Sequence, residues 1–183
     1  VQAAMVKQVA ELVEDGSTWE EVEKLALAIE AAGATMINTG IGWHEARIPT
    51  IATLVPRGAY AWVTQRLMGK LHIPLITTNR INTPEKAEEM LREGYADMVS
   101  MARPFLADPY FMRKAQENRS DEINTCIACN QACLDHVFKH KDASCLVNPR
   151  ACKETLQMPS NAQGAAHKIA VIGAGPAGLS AAT

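Results

Sequence analysis

Four cysteines in the last third of the chain carry the strongest chemical signal in the sequence. They follow the pattern Cys-x2-Cys-x3-Cys-x11-Cys and are Cys126, Cys129, Cys133 and Cys145. The short spacings allow one tight turn to direct three sulfurs at one point, while the distant fourth closes the site. Disulfides need an oxidising compartment, which nothing in the sequence suggests. Four thiolates can instead hold a zinc ion or an iron–sulfur cluster.

The spacing of these cysteines favours an iron–sulfur cluster over zinc but leaves both readings open. Structural zinc sites usually combine two Cys-x2-Cys pairs, whereas this chain groups three cysteines with one more distant. Iron–sulfur cubes accept such a three-plus-one arrangement. The fifth cysteine, Cys152, falls outside the pattern and is interpreted as a spare thiol.

A glycine-rich turn near residue 175 is typical of dinucleotide binding. Gly173, Gly175 and Gly178 form the pattern Gly-x-Gly-x-x-Gly directly after an apolar strand predicted at 168–172. The first glycine makes the turn, the second lets the backbone approach a pyrophosphate, and the third permits close contact between helix and strand. The pattern is weak alone, and its acidic ribose partner is expected about 20 residues further on, beyond Thr183.

Alternating helices and strands over residues 17–119 predict the scaffold that positions these groups. Strands are predicted at 36–39, 74–78 and 97–101, and helices after a capping box at Ser17 to Glu20, at about 59–71, after Thr83 and at about 109–117. Parallel neighbouring strands need a crossover, which is usually helical, so the pattern indicates an α/β fold. An open doubly wound sheet and a (β/α)8 barrel, which needs about 250 residues, both remain open.

Composition excludes several classes of protein. The 183 residues are 48% hydrophobic and 21% charged, with a net charge of −2. This balance gives no electrostatic case for binding nucleic acid or an anionic membrane, and no apolar stretch reaches the roughly 18 residues that span a bilayer. No secretory signal opens the chain, so we expect a cytoplasmic protein. Because the chain runs from Val1 to Thr183, just after the glycine turn, we expect an internal piece of a longer polypeptide.

Several motifs together resemble the old yellow enzyme-like flavin and iron–sulfur family that includes bacterial NADPH-dependent 2,4-dienoyl-CoA reductases. They are Gly40–Thr50, Thr78–Asn82, Ser100–Leu106 and the cysteine run. The resemblance begins at about Leu12, and the first ten residues depart from the family and receive no role. It implies the C-terminal part of an FMN-binding TIM barrel at 1–119, an iron–sulfur segment at 120–160, and a linker with the start of a Rossmann-like FAD domain at 161–183.

The resemblance also implies a set of cofactors and the residues that hold them. FMN, a 4Fe–4S cluster and FAD would be bound, with NADPH as electron donor and an acyl-CoA as substrate. Arg103 and the backbone of Ala102 would hold the FMN phosphate, and Arg80 would lie by the isoalloxazine or ribityl part. Gln131 would lie between cluster and FMN. The four cysteines would hold the cluster, and the three glycines would bind FAD.

His44 is the predicted catalytic residue. A lone loop histidine is more often solvated, but here it matches the family motif Gly-Trp-His-Glu. The resemblance implies that it polarises the thioester carbonyl of 2,4-dienoyl-CoA during the oxidation of unsaturated fatty acids. The first half of the barrel, with the family's proton-donating tyrosine, is not in the sequence, so we expect these 183 residues to be inactive alone.

Two alternative functions fit the same residues. Trimethylamine dehydrogenase and other cluster-bearing enoate reductases share the barrel, the arginines and the cysteine spacing, but they differ in the substrate pocket. A zinc-stapled, non-catalytic binding module would need only the cysteine run. The oligomeric state does not follow from the sequence.

Overall fold

A parallel sheet of four strands organises the first part of the chain. The computed structural model describes residues 16–41, 50–156, 169–175 and 177–179, and the backbone of 3–6. Contacts divide the chain into two units, residues 1–153 and 154–183. The first unit contains the sheet, Arg80, Arg103 and all five cysteines. The second unit contains the glycine turn.

The strands of the sheet run in chain order. They are β1 (Ala3–Val6), β2 (Met36–Thr39), β3 (Leu75–Thr77) and β4 (Met98–Val99), each parallel to the next. The register pairs Ile37 with Leu75 and Ile76 with Met98. A doubly wound sheet reverses its strand order at a switch point, whereas consecutive barrel strands do not. The α/β prediction is confirmed, and the strand order is that of a section of a (β/α)8 barrel.

Short helices follow the strands. They are α1 (Trp19–Ala31), α2 (Ala61–Gln65), α3 (Pro84–Arg92), α4 (Arg103–Ala107), α5 (Phe111–Gln116) and α6 (Leu134–Phe138). Helix α3 begins as predicted, with Thr83 accepting the N–H of Lys86 and Pro84 at the first helical position. In the described part of the chain, no helix combines the length and apolar character needed to cross a bilayer.

One apolar core joins the sheet to its first two helices. Val22 of α1, Ile37 of β2, Leu67 after α2 and Leu75 of β3 are at most 6% exposed and belong to one cluster. A buried pair of hydroxyls lies beside it, where the oxygens of Thr39 and Thr64 are 2.6 Å apart. The core therefore fixes the positions of β2 and β3, whose carboxyl ends lead into the candidate site.

The structure adds a fourth strand to the three that the sequence predicts within residues 17–119. Residues 3–6, which received no role, pair with β2 in parallel, with Ala4 opposite Ile37. The segment Ala-Ala-Met-Val shows no alternation of polar and apolar residues. Its strand conformation therefore comes from the pairing with β2, which local patterns do not reveal.

Two helix boundaries also differ from the prediction. The capping box consists of Thr18 and Glu21, not Ser17 and Glu20, so α1 begins one residue later than expected. Helix α2 covers only part of 59–71, because the N–H groups of Leu67 and Met68 bond to carbonyls three residues back rather than four. These tighter turns end the regular α-helix at Gln65.

The second unit shows the local geometry of the glycine turn but no sheet. Residues 169–172 have no strand assignment, so the strand predicted at 168–172 is not seen in its described part, and residues 177–179 are helical. Gly173 has φ +110°, and a Cβ on Gly178 would lie 1.9 Å from the carbonyl oxygen of Gly173. A strand needs a hydrogen-bonded neighbour, and no described residue pairs with this segment.

Candidate functional site

The carboxyl ends of β3 and β4 bring two arginines to one pocket. Arg80 lies three residues after β3, and Arg103 begins α4 just after β4. We call the space between them the arginine pocket; its walls include Thr78, Arg80, Asn82, Ser100, Ala102 and Arg103. Carboxyl ends of parallel strands are where barrel enzymes place their chemistry, and phosphate often binds after the last two strands.

Arg80 is buried and held by backbone carbonyls. It is 8% exposed, and its Nε donates to the carbonyl of Val55 at 2.9 Å. Burial lowers the pKa of its guanidinium, and the positive charge of Arg103 lowers it further. An arginine nevertheless stays protonated at neutral pH, because its ordinary pKa lies far above neutrality. The pocket therefore contains a permanent buried positive charge.

The backbone at the end of β3 adopts an unusual conformation. Asn79 and Arg80 both have left-handed backbone angles, with φ of 72° and 57°. The amide of Asn79 donates to the carbonyl of Ile41 at 2.7 Å and to the hydroxyl of Thr50 at 3.0 Å. The hydroxyl of Thr50 also donates to Ile41 at 2.9 Å. These bonds hold Ile41 and Thr50 together at the end of β3.

Arg103 points toward the cysteine run. Its Nη1 donates to the carbonyl of Ile51 at 3.0 Å and to Oδ1 of Asn130 at 2.6 Å. Among the described residues, neither Arg80 nor Arg103 forms an ion pair with a carboxylate. Two guanidinium groups that share a pocket in this way provide a setting suited to an anion, since guanidinium binds phosphate through paired hydrogen bonds.

The four predicted metal-binding cysteines line a second pocket. This cysteine pocket is bounded by Cys126, Cys129, Cys133 and Cys145, by apolar side chains of Leu106, Ile127 and Leu146, and by Arg103. Ala128 and Asn130 adopt positive φ angles of 55° and 61°, which turn the chain sharply between the first three cysteines. In the parts of the chain that the structure describes, no three potential ligands converge closely enough to hold one metal ion.

The chemistry of Cys133 reflects its surroundings. Burial raises the pKa of its thiol, and the charges of Cys129 and Cys126 add to this effect. The N–H of Leu134 and the positive charge of Arg103 act in the opposite direction without cancelling it. Metal ligation requires the thiolate, so binding at this position releases a proton.

Polar side chains join the two pockets. Asn82, which is 4% exposed, donates from Nδ2 to the carbonyl of Cys126 at 2.6 Å. The hydroxyl of Thr53 lies 3.0 Å from the carbonyl of Ile127 and 2.9 Å from that of Ala128. Arg103 and Cys126 line both pockets. The cysteine turn is therefore attached directly to the end of the sheet that carries the arginines.

The remaining predicted site residues differ in how the structure places them. Gln131 is exposed and does not line either pocket, whereas its neighbour Asn130 reaches Arg103. Ala102 lines the arginine pocket, as the predicted phosphate contact requires. His44 lies outside the described residues, so its catalytic role stays a prediction.

Sequence reasoning gave no role to Asn82, Asn130 or Thr53. Asn82 lies in the motif Thr-Asn-Arg-Ile-Asn, and Asn130 lies within the cysteine run. Their position inside recognised motifs is the one feature of the sequence that could have pointed to a role for them. Their partners are 27 to 75 residues away in the chain. Such distant pairings leave no local pattern.

Comparisons with known proteins identify a family and relatives of this chain. Residues 8–122 match the NADH:flavin oxidoreductase / NADH oxidase family. The chain is 46% identical to a metal reductase of Desulforamulus reducens, over 87% of this chain and 24% of that protein. It is 35% identical to an NADH oxidase of Thermoanaerobacter brockii, over 94% and 27%. The chain thus spans about a quarter of the length of these relatives.

A solved structure supports the same relationship. A 2-naphthoyl-CoA reductase in complex with 2-naphthoyl-CoA has a TM-score of 0.76 and 33% identity, over 84% of this chain and 23% of that one. Histamine dehydrogenase from Rhizobium sp. has a TM-score of 0.72 at 23% identity, over 83% and 22%, which is a likeness of fold alone.

Proposed function

We propose a reductase function on the premise that this chain belongs to the NADH:flavin oxidoreductase / NADH oxidase family. The chain is part of a flavin- and iron–sulfur-dependent oxidoreductase that reduces 2,4-dienoyl-CoA with electrons from NADPH. The observation that carries this proposal is the contact between the arginine pocket and the cysteine pocket, which share Arg103 and Cys126. An anion site directly beside four thiols suits a phosphate-bearing redox cofactor next to a metal cluster.

The arginine pocket fits the phosphate end of FMN. Arg103 offers a guanidinium fork with Asn130 as its amide partner, Ala102 lies beside it, and Arg80 adds a buried positive charge. These residues bind and orient the cofactor, which when bound supplies hydride transfer to an activated double bond. The absence of a carboxylate partner among the described residues leaves both charges available to an anion.

The cysteine pocket offers four thiols to a 4Fe–4S cluster. Cys126, Cys129 and Cys133 lie within eight residues and Cys145 is more distant, and all four line this pocket. Iron–sulfur cubes accept this three-plus-one spacing, whereas structural zinc sites usually combine two Cys-x2-Cys pairs. Leu106, Ile127 and Leu146 provide apolar walls. Such a cluster carries one electron at a time, which suits transfer between two flavins.

The acyl-CoA substrate is supported by a relative and by one motif. The structure of 2-naphthoyl-CoA reductase, at 33% identity, contains a conjugated acyl-CoA. We propose that His44 donates a hydrogen bond to the thioester carbonyl, where negative charge develops when hydride adds to the distal alkene carbon. Gly173, Gly175 and Gly178 would hold FAD, which is consistent with the tight turn at Gly173.

Reduction of metal ions is a second candidate function. The 46% identity to a metal reductase supports it. The same electron carriers could pass single electrons to a metal complex at the protein surface. The two functions use the same residues and differ only in the electron acceptor. An assay that compares acceptors therefore decides between them.

The decisive experiment uses the full-length protein that contains this chain, purified without oxygen. We expect FMN, FAD, four irons and four acid-labile sulfides per chain, with NADPH oxidised rapidly by 2,4-dienoyl-CoA and slowly by a simple enone or a ferric chelate. Rapid turnover of the ferric chelate alone would favour the second candidate. A colourless protein with one zinc ion and no flavin would overturn both.

A further inference from the structure

We propose that Asn130 is a positioning residue that couples anion binding in the arginine pocket to metal binding at the cysteines. Asn130 lies between Cys129 and Cys133, and its side chain reaches out of the cysteine turn to Arg103. The inference rests on the proposed function for the identity of the two ligands, FMN and the iron–sulfur cluster.

Asn130 uses both ends of its amide at this position. Oδ1 accepts a hydrogen bond from Nη1 of Arg103 at 2.6 Å, and Nδ2 donates to the carbonyl of Ile51 at 3.3 Å. Arg103 also donates to Ile51, at 3.0 Å. Arginine, asparagine and carbonyl thus form a closed triangle that holds Nη1 of the guanidinium. The edge formed by Nε and Nη2 remains to bind an anion.

The rest of the cysteine turn is tied to the same part of the fold. Thr53 donates to the carbonyls of Ile127 and Ala128, and Asn82 donates to the carbonyl of Cys126. The turn therefore cannot shift on metal binding without moving groups that contact the arginine pocket. Asn130 contacts an arginine through its own side chain, whereas Arg80 reaches the turn only indirectly, through the carbonyl of Thr53 at 3.4 Å. We therefore assign the coupling to Asn130.

The chemistry of an amide suits this task. A neutral oxygen orients Arg103 while leaving its full positive charge for a ligand, whereas a carboxylate would pair with the arginine and compete with the anion. Asparagine also tolerates the left-handed φ of 61° that the turn requires. Metal binding that orders this turn orders Arg103 as well, and by linkage the anion must favour metal retention by the same factor.

The test measures FMN affinity in the full-length protein with and without the cluster. FMN is removed, and its Kd is determined by quenching of flavin fluorescence for cluster-loaded and cluster-stripped protein. In the unsubstituted protein we expect cluster removal to weaken FMN binding about tenfold, within the usual range of coupling between sites. In Asn130→Ala we expect the ratio of the two Kd values to fall to about one. Gln116→Ala, at an exposed amide of α5, should keep the original ratio.

A second variant guards against loss of the turn in Asn130→Ala. Asn130→Asp keeps the shape and the tolerance of positive φ but adds a charge next to Arg103. We expect it to retain iron while binding FMN at least fivefold more weakly. Unchanged FMN affinity in this variant, or an unchanged ratio in Asn130→Ala, would overturn the proposal.

The outcomes separate this inference from the proposed function. A protein that contains FMN and cluster, but shows no effect of Asn130, retains the proposed function and refutes the coupling. Should the protein contain neither, the proposed function fails, and the coupling is measured with inorganic phosphate and cobalt(II) as probes. The cobalt–thiolate absorption then reports whether phosphate strengthens metal binding and whether Asn130→Ala removes that effect.

Discussion

Asp108 accepts a hydrogen bond from Nζ of Lys114 at 2.6 Å, and their side chains are only 2% and 17% exposed. The same carboxylate accepts the N–H groups of Tyr110 and Asn124 at 2.9 and 3.0 Å. Lys114 also donates to the carbonyl of Glu122. This buried centre ties α5 to the segment that leads into the cysteine turn.

The first prediction concerns the stability of that centre. Asp108→Ala leaves a largely buried ammonium and two N–H groups without their partner, so we expect a loss of about 3–5 kcal/mol in the free energy of unfolding. The measurement is the urea midpoint of the full-length protein followed by tryptophan fluorescence. Arg119→Ala removes an exposed pairing with Glu117 and Glu122 and should change the midpoint little. Equal effects of the two variants would contradict this account.

The second prediction concerns the pH dependence of the same residue. Burial raises the pKa of the Asp108 carboxyl, but the hydrogen bonds from Lys114, Asn124 and Tyr110 outweigh it and hold the pKa below its ordinary value. A lowered pKa in the folded state stabilises the protein above the unfolded pKa, and this stabilisation is lost as pH falls through the folded pKa. The difference in urea midpoint between the unsubstituted protein and Asp108→Asn should therefore be constant at pH 6–8 and shrink below about pH 4. A constant difference down to pH 3 would argue against the assignment.

The third prediction tests the arginine pocket. Arg103→Lys keeps the charge but loses the guanidinium fork, and Arg103→Ala loses both, so we expect FMN content to fall in that order. The Kd for FMN should rise about tenfold in the lysine variant, since one good charged hydrogen bond is worth about 1.5 kcal/mol or more. Arg92→Ala, at an arginine that is 72% exposed at the end of α3, is the matched control. Normal FMN binding by Arg103→Ala would exclude this arginine from the phosphate site.

The fourth prediction separates the four clustered cysteines from the fifth. Cys133→Ala removes a partly buried thiol of the cysteine pocket, and we expect the protein to lose its cluster. Cys152→Ala changes an exposed thiol that does not line this pocket, and iron content should remain at the unsubstituted level. Iron and acid-labile sulfide per chain provide the measurement. A large loss of iron in Cys152→Ala would show that the ligand set was assigned incorrectly.

The fifth prediction distinguishes the two possible capping boxes of α1. Thr18 accepts the N–H of Glu21, and Glu21 accepts the N–H of Thr18 in return. Thr18→Ala should destabilise the start of the helix by about 1 kcal/mol and speed amide hydrogen exchange in the first turn. Ser17→Ala should have a smaller effect on the same peptide. A larger effect of Ser17→Ala than of Thr18→Ala would instead support the capping box of Ser17 and Glu20 that the sequence pattern suggests.

Local chemistry explains which elements could be predicted from the sequence. Thr83 and Pro84 set the start of α3 through a side-chain cap and a fixed φ, and both effects depend on adjacent residues only. The central strands are recognisable because buried parallel strands are short apolar runs between turn residues. The cysteine pocket follows similarly from spacing, because three of its members lie within one turn.

Non-local contacts account for what the sequence did not reveal. β1 is a strand only through its pairing with β2. The bridge between the pockets depends on Asn82 and Asn130, whose partners are 44 and 27 residues away. A single amide carries no periodicity, so its function becomes visible only when the fold brings its partner into contact.

The left-handed pair Asn79–Arg80 limits which residues can replace Asn79. Asparagine tolerates a φ of 72° better than most residues with a Cβ, and glycine accepts it without strain. Glycine would, however, delete the amide that holds Ile41 and Thr50 together. A saturation library at this position, screened for folding, should therefore retain asparagine almost alone.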